Sequence, residues 1–289
     1  MVNFKTIAIT SNTNKKNVLD IAKQCCEVLY GKSQAILVTE NLSAISKSKK
    51  IKVSSNKQII DKADLLICIG GDGTMLGSAR EFGFYGVPML GINLGNVGFL
   101  TDIALETITS SISEVMKGKF LKDRRSFLEA SIGKKKSYIA LNEVVIHSGA
   151  LAQLIEYELF VNDIFVYRQR ADGIIVSSPT GSTAYSLSGG GPILHPEVKA
   201  ITLLPMFPHS LSSSPLLVND VSKIKIKIID GAGRPKLSLD SHDSLILKKG
   251  DEVAIKKAKA ELTLLHPLNH DFYSACRNKL GWSSALSNN

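Results

Sequence analysis

An apolar run, Leu65-Leu66-Ile67-Cys68-Ile69, stops abruptly in Gly70-Gly71-Asp72-Gly73-Thr74. Glycines there allow backbone angles that other residues avoid and expose consecutive N–H groups. A helix starting at that point adds a partial positive charge, so the loop is a ready site for phosphate. Asp72 does not suit simple anion binding, because its own charge repels a phosphate. It makes sense if it orients a hydroxyl, accepts a proton or engages a metal that bridges to phosphate. The plain alternative is a turn residue bonding its own backbone.

Three further segments have comparable chemistry. Gly91-Ile92-Asn93-Leu94-Gly95-Asn96-Val97-Gly98-Phe99-Leu100 leaves the next strand with three glycines where the backbone must turn and Phe99 as an apolar anchor. Asn142-Glu143 sits in a strand-like run from Tyr138 to His147. A carboxylate and an amide are costly to bury there without partners, which points to a pocket. The densest stretch runs from Arg170 to Pro192. Asp172 precedes a strand, then come the hydroxyl-rich turn Ser177-Ser178-Pro179-Thr180-Gly181-Ser182-Thr183, Ala184-Tyr185-Ser186-Leu187-Ser188 and Gly189-Gly190-Gly191. Small hydroxyls and backbone N–H groups can bond phosphates and ribose hydroxyls without adding charge. Tyr185 supplies a flat face or a hydroxyl. A capped helix after a proline turn would explain the order of these residues but not their concentration. Spelling excludes three common sites: there is no GxxxxGK[ST], no HRDxxxxN with DFG, and Gly71 to Gly77 misses GxGxxG by one position.

The elements that must hold these residues follow from periodicity. Strand patterns at Phe4 to Thr10, Ala35 to Val38, Leu65 to Ile69 and Val87 to Ile92 alternate with helical ones, which predicts a parallel sheet. A helix runs from the Asn12–Asn14 region to about Tyr30, with Val18, Ile21, Ala22, Cys25 and Leu29 on one face. A short helix is expected from about Met75 to Glu81, and another over Ile108 to Met116, closed by Gly118. Residues 46–57 hold five Lys and five Ser or Asn and predict a mobile loop. The first two glycine segments both follow strands of one parallel sheet, so they share its carboxyl edge, where open α/β sheets bind ligands. After about Arg125 the period becomes two. Leu154 to Val161 and Ile164 to Tyr167 flank the hairpin signal Asn162-Asp163. In Ser222 to Ile229, Lys223, Lys225 and Lys227 alternate with isoleucines, as on a sheet with one wet face. Val253 to Leu265 is a further strand, and a short helix is expected near Ser182 to Leu187. The fold class is therefore an α/β N-terminal domain with a parallel sheet plus a β-rich C-terminal domain. The boundaries are 1–123, 124–265 and a tail, 266–289, packing back on the first domain.

Composition limits the function classes. The 289 residues are 44% hydrophobic and 21% charged, enough for a sizeable core. Lys and Arg outnumber Asp and Glu by 35 to 26, a net charge of +9, but the excess is scattered as a solvated surface. With aromatics at 6%, nothing supports base reading, and no nucleic acid partner is expected. No apolar stretch approaches a membrane span, and the start shows no signal-peptide pattern. Cys25, Cys26, Cys68 and Cys276 form no CxxC pair, so we expect reduced apolar residues in a cytoplasmic protein.

Together, Gly70–Thr74, Gly91–Leu100, Asn142-Glu143 and Pro179–Tyr185 resemble the NAD kinase family, and the resemblance extends to the closing Lys279-Leu280-Gly281-Trp282. It implies an active site between two domains. The implied reaction transfers the ATP γ-phosphoryl group to the 2′-hydroxyl of the adenosine ribose of NAD, giving NADP, with Mg²⁺ accompanying ATP. By match to the family motifs, Asp72 accepts the proton or orients the hydroxyl, and Gly71 and Gly73 approach phosphate. Asn142 and Glu143 hold the dinucleotide, and Asp172 lies near its nicotinamide half. Thr183, Ala184, Tyr185 and Ser188 contact the adenosine half. Arg170 is linked to preference for NAD over NADH. His242 is either a nucleotide contact or a loop residue. Homodimers or homotetramers are implied. The rivals are a lipid kinase sharing GGDGT, which should show an apolar or membrane-facing surface, a phosphofructokinase, and a non-catalytic NAD-binding regulator, which has no need of Asp72.

Overall fold

In a computed structural model of the chain, which describes residues 4–46, 50–95, 98–133, 136–150, 153–210, 213–231 and 234–282, the alternating first half becomes a parallel sheet. Strands β1 (Thr6–Thr10), β2 (Ala35–Val38), β3 (Ile51–Val53), β4 (Leu65–Ile69) and β5 (Met89–Ile92) run in the order β5-β4-β1-β2-β3, with every pairing parallel. All five residues of β4 are buried, as a continuous apolar run in a two-sided parallel sheet requires. Helices α1 (Lys16–Leu29), α2 (Asn56–Lys62), α3 (Asp72–Glu81) and α4 (Ile108–Met116) alternate with these strands. One core joins Ile7, Ile9 and Ile67 to Val18, Cys25 and Leu29 of α1 and to Ile112 and Val115 of α4. The pairing of Ile69 with Ile92 sets the carboxyl ends of β4 and β5 side by side.

Two expectations need correction here. The lysine- and serine-rich stretch 46–57 is not simply a loop. Ile51 is buried and pairs with Ile36, so β3 forms despite its polar flanks, and α2 starts at Asn56. Ser55 and Gln58 cap α2 reciprocally, a Ser-x-x-Gln signature present in the sequence. Residues 47–49 of that stretch lie outside the described residues. Helix α3 begins at Asp72 itself, with Gly71 as its N-cap, rather than near Met75.

The chain forms two units, Met1–Arg124 with Glu261–Asn289 and Arg125–Ala260. The second is built from β6 (Leu121–Ile132), β7 (Ser137–Ala140), β8 (Glu143–His147), β9 (Ile155–Val161), β10 (Ile164–Ala171) and β11 (Gly173–Ser177). It continues with the single-turn α5 (Tyr185–Ser188), β12 (Ala200–Met206), β13 (Leu216–Asn219), β14 (Ile224–Gly231), β15 (Lys236–Leu239) and β16 (Asp243–Ile246). Strand β17 (Glu252–His266) leaves this unit and re-enters the first, where Leu264 pairs in parallel with Met89. Helix α6 (Phe272–Leu280) follows. In the second unit one antiparallel sheet has the order β13-β12-β11-β8-β15-β16. The other runs β10-β9-β14-β17, with the β6–β7 hairpin joined to β17. Both contribute to one core that includes Tyr157, Ile174, Val176, Ile226, Leu237 and Val253. Ile224, Ile226 and Ile228 of β14 are buried and Lys225 and Lys227 only half-buried, as their alternation predicted. Asn162 and Asp163 take φ of 52° and 63°, the left-handed pair of a tight hairpin turn. The run Tyr138 to His147 is two strands, broken at Leu141 and Asn142. The expected helix near Ser182 is a 3₁₀ turn, Thr180–Thr183, followed by α5. Among the described residues no helix is long and apolar enough to cross a membrane. All four cysteines are free and buried.

Candidate functional site

In the first unit the two glycine segments meet through Asp72. The N–H of Phe99 donates to its Oδ2 at 3.0 Å and the N–H of Leu100 to its Oδ1 at 3.1 Å. The Thr101 hydroxyl donates to Oδ1 at 3.2 Å, and Lys279 Nζ stands 4.0 Å from Oδ2. A Cβ on Gly98 would strike this carboxylate, so glycine is what lets it approach the loop. Thr101 also accepts from Asn93 Nδ2 at 2.7 Å, which ties the loop back to the end of β5. Asp72 is held in the first turn of α3 yet keeps 29% of its side chain exposed. A Cβ on Gly71 or Gly73 would meet nothing within 4 Å. Packing does not demand glycine at these positions, and their bareness leaves the helix N-terminus open to an anionic ligand. Asn96 and Val97 lie outside the described residues.

In the second unit, a tight turn and a strand break converge on Asn142 and Glu143. Asp240, with φ 46° at the turn after β15, accepts the N–H of Leu141 at 2.9 Å, of Asn142 at 2.8 Å and of Glu143 at 3.2 Å. Gly181 packs so closely on the Asn142 carbonyl that a Cβ could not fit. Burial, and then the charge of Asp240, push Glu143 up to about 8, although the N–H of Tyr185 bonds its carboxyl. Glu143 is therefore largely a neutral acid at pH 7, able to donate as well as accept. Tyr185 and Ser188 line a cavity of about 580 Å³ with Ile175, Leu204 and Met206. Thr183 spends its hydroxyl on the Thr180 carbonyl at 3.3 Å, and Ala184 gives its N–H to Gly181. Buried Arg125 reaches the Thr180 hydroxyl at 3.4 Å. Arg170 lines an adjoining open hollow with Tyr167, Gln169 and His209, which shares Ser213, Ser214 and Pro215 with the Tyr185 cavity. Asp172 is half-buried, its backbone bonded to Met206 and Ser148.

Residues 7–120 match the model of the ATP-NAD kinase N-terminal domain, and residues 141–266 match that of the ATP-NAD kinase C-terminal domain. The chain belongs to the NAD kinase family. It is 40% identical to the NAD kinase of Teredinibacter turnerae over 293 residues, covering all of both chains. It is 44% identical to that of Saccharophagus degradans over 269 residues, 91% of this chain and 89% of the relative. Among solved structures, yeast NADH kinase complexed with NADH superposes with a TM-score of 0.89 at 26% identity, covering 99% of this chain and 90% of that one. An NAD kinase from Archaeoglobus fulgidus in complex with ATP gives 0.72 at 25% identity, covering 96% and 97%. These relatives are pyridine-nucleotide kinases and give no support to a lipid kinase, a phosphofructokinase or a non-catalytic binder.

Within the NAD kinase frame, the structure joins Asp72 to the second glycine segment, and Glu143 to Tyr185. The His242 side chain is exposed on the turn after Leu239, and the same turn aims Asp240 inward. Asp240, Thr101 and Arg125 act in these clusters without having stood out as functional residues in the sequence, and Lys279 stood out only within the closing motif. A turn aspartate one residue past an apolar strand was the available signal for Asp240, but its partners lie 97 to 99 residues away.

The neutral Glu143 has a thermodynamic consequence. Its folded form binds a proton up to about pH 8, whereas the unfolded side chain ionises near its ordinary 4.5. Its contribution to stability is thus complete below about pH 4.5 and is lost as pH rises through 8. The amide introduced by Glu143→Gln cannot ionise, so the melting temperature of that variant minus that of the parent should grow between pH 5 and pH 8. Thermal melts at the two pH values test this, and a difference independent of pH would assign Glu143 an ordinary carboxylate.

Proposed function

We propose that this NAD kinase transfers the γ-phosphoryl group of ATP to the 2′-hydroxyl of the adenosine ribose of NAD, giving NADP and ADP, with Asp72 as the group that aligns and deprotonates the hydroxyl. The supporting observation is the Asp72 carboxylate, fixed by two backbone N–H groups and one hydroxyl at the start of α3 while part of it stays accessible. A ribose hydroxyl is a weak nucleophile, so in-line placement on the γ-phosphorus supplies most of the acceleration. The new bond joins the 2′-oxygen to the γ-phosphorus, the bond from that phosphorus to the bridging oxygen breaks, and the hydroxyl proton goes to Asp72.

The remaining roles follow the family motifs. Gly71 and Gly73 let phosphate approach the N-terminus of α3. Asn142 and neutral Glu143 hold the dinucleotide. Asp172 serves the nicotinamide half, and Thr183, Ala184, Tyr185 and Ser188 serve the adenosine half. Arg170 biases the choice of NAD over NADH, and His242 is either a nucleotide contact or a loop residue. The residues fit Mg²⁺ that is carried on the nucleotide phosphates rather than held by the protein. Asp72 is already engaged by three donors, with Lys279 near, and offers no cage of protein oxygens. When bound with ATP, the metal would neutralise phosphate charge beside Asp72. A homodimer or homotetramer follows from the family resemblance, and the four buried free cysteines suit the cytoplasm.

A matrix of donors (ATP, polyphosphate) against acceptors (NAD, NADH, diacylglycerol, sphingosine), with and without Mg²⁺, tests the assignment. We expect 2′-phosphorylated dinucleotide, identified by mass spectrometry, from ATP and NAD with Mg²⁺. Absence of that product would refute the proposal.

A further inference from the structure

The closing segment of the chain meets the Asp72 loop at several points. Asp102 directly follows Thr101, the residue whose hydroxyl holds Asp72. His266, the last residue of β17, and His270 both bring Nδ1 to 2.8 Å from Asp102 Oδ2. Their rings stack at 3.8 Å with 15° between planes. The Nε2 of His266 faces Asp123 Oδ2 at 3.4 Å, so this buried imidazole has a carboxylate at each nitrogen. Burial alone would lower its pKa, but Asp102 and Asp123 carry it above the ordinary histidine value. Burial would raise Asp102, and the two histidines hold it below its ordinary value. The three donor atoms lie within 4.8 Å of one another, and hydrogen bonds alone account for that grouping. Farther along, the Phe272 ring stands 6.3 Å from that of Phe99, and Lys279 reaches toward Asp72.

Phe99 and Leu100 supply the backbone donors that fix the Asp72 carboxylate, so a shift of this loop moves the carboxylate with it. One end of the loop is tied to β5 through the N–H of Asn93 on the Ile103 carbonyl and the N–H of Ile103 on the Gly91 carbonyl. The outer side is tied through Asp102. We propose that Asp102, His266 and His270 are positioning residues for Asp72, and that the segment after β17 is the clamp that registers the loop holding it. This rests on the catalytic reading of Asp72 and extends it to residues that act through the loop. It also gives the closing Lys279-Leu280-Gly281-Trp282 a physical role, because α6 delivers Phe272 and Lys279 to the same loop.

A double-mutant cycle separates this inference from the reading beneath it. Steady-state kcat and KM are measured for the parent, Asp102→Asn, Asp72→Asn and the double variant. We expect Asp102→Asn to lower kcat by about ten- to a hundredfold, the scale of an ångström-sized misplacement. KM for NAD and ATP should stay within about threefold. In the Asp72→Asn background the same change should alter kcat by less than about threefold. Unchanged kcat in Asp102→Asn, or equal losses in both backgrounds, overturns the clamp while leaving Asp72 catalytic. Near-normal turnover of Asp72→Asn removes the reading itself. If Asp102→Asn does not fold, His270→Gln leaves the His266 bond in place. It should show a smaller kcat loss of the same sign at a near-parental melting temperature, and no loss there also overturns the clamp.

Discussion

Asp72→Asn should fold, bind NAD with nearly parental affinity and lose about two to four orders of magnitude in kcat, the range by which a positioned base accelerates proton transfer. The size of the effect follows from what the amide cannot do. Asp72 presents acceptor oxygens to three donors, the N–H groups of Phe99 and Leu100 and the Thr101 hydroxyl. An amide keeps the shape but has one oxygen and one NH₂, so one donor in the loop faces another donor. That mismatch costs about 1–3 kcal/mol, a tolerable share of the roughly 5–15 kcal/mol typical of a folded protein. The chemical loss is separate, because an amide has no useful basicity toward a ribose hydroxyl. Thermal melting, NAD affinity by calorimetry and kcat should therefore divide cleanly. Parental kcat in a variant that melts and binds normally would falsify the assignment of Asp72 as the base.

The same residues show where sequence reading succeeds and where it stops. β4 is legible because a strand buried on both faces must be apolar throughout, and the glycines after it announce a bare loop. The adjacency of the two glycine segments also follows from strand order at a carboxyl edge. What no local pattern carries is the set of bonds across that adjacency. Asp72 is matched to donors 27 to 29 residues later, and Gly98 is required by a side chain that is remote in the chain. β3 escapes periodicity because the three residues Ile51-Lys52-Val53, between Lys50 and Ser54, offer too short a period, and only its pairing with β2 buries Ile51. Asp102 and His266 are 164 residues apart, and each alone reads as an ordinary polar residue near a strand end. Helices and strands are set by short-range spacing, whereas the electrostatics of the candidate site are set by tertiary contacts between segments.

Asp240 is where that second kind of information should have its largest effect on stability. It is 3% exposed and accepts three backbone N–H groups from Leu141, Asn142 and Glu143. Those groups lie at the break between β7 and β8, where no ladder partner replaces Asp240 for all three. Asp240→Ala leaves buried donors without their acceptor, each costing about 1–3 kcal/mol. It also puts alanine at φ 46°, a left-handed angle that aspartate and asparagine tolerate better. We expect a loss of at least about 3 kcal/mol, three orphaned donors at the low end of that range. Asp240→Asn keeps one acceptor oxygen and the favourable turn angle, so its loss should be markedly smaller. Removing the charge also takes away the second cause that raises Glu143, so its carboxyl should titrate at lower pH in either variant. NAD affinity should fall in Asp240→Ala more than in Asp240→Asn, because Asn142 and Glu143 lose the anchor of their backbone. Chemical denaturation of the two variants, read beside NAD titrations, decides the matter: a loss under about 1 kcal/mol in Asp240→Ala, no larger than a surface substitution gives, would mean that water or local rearrangement serves those three donors.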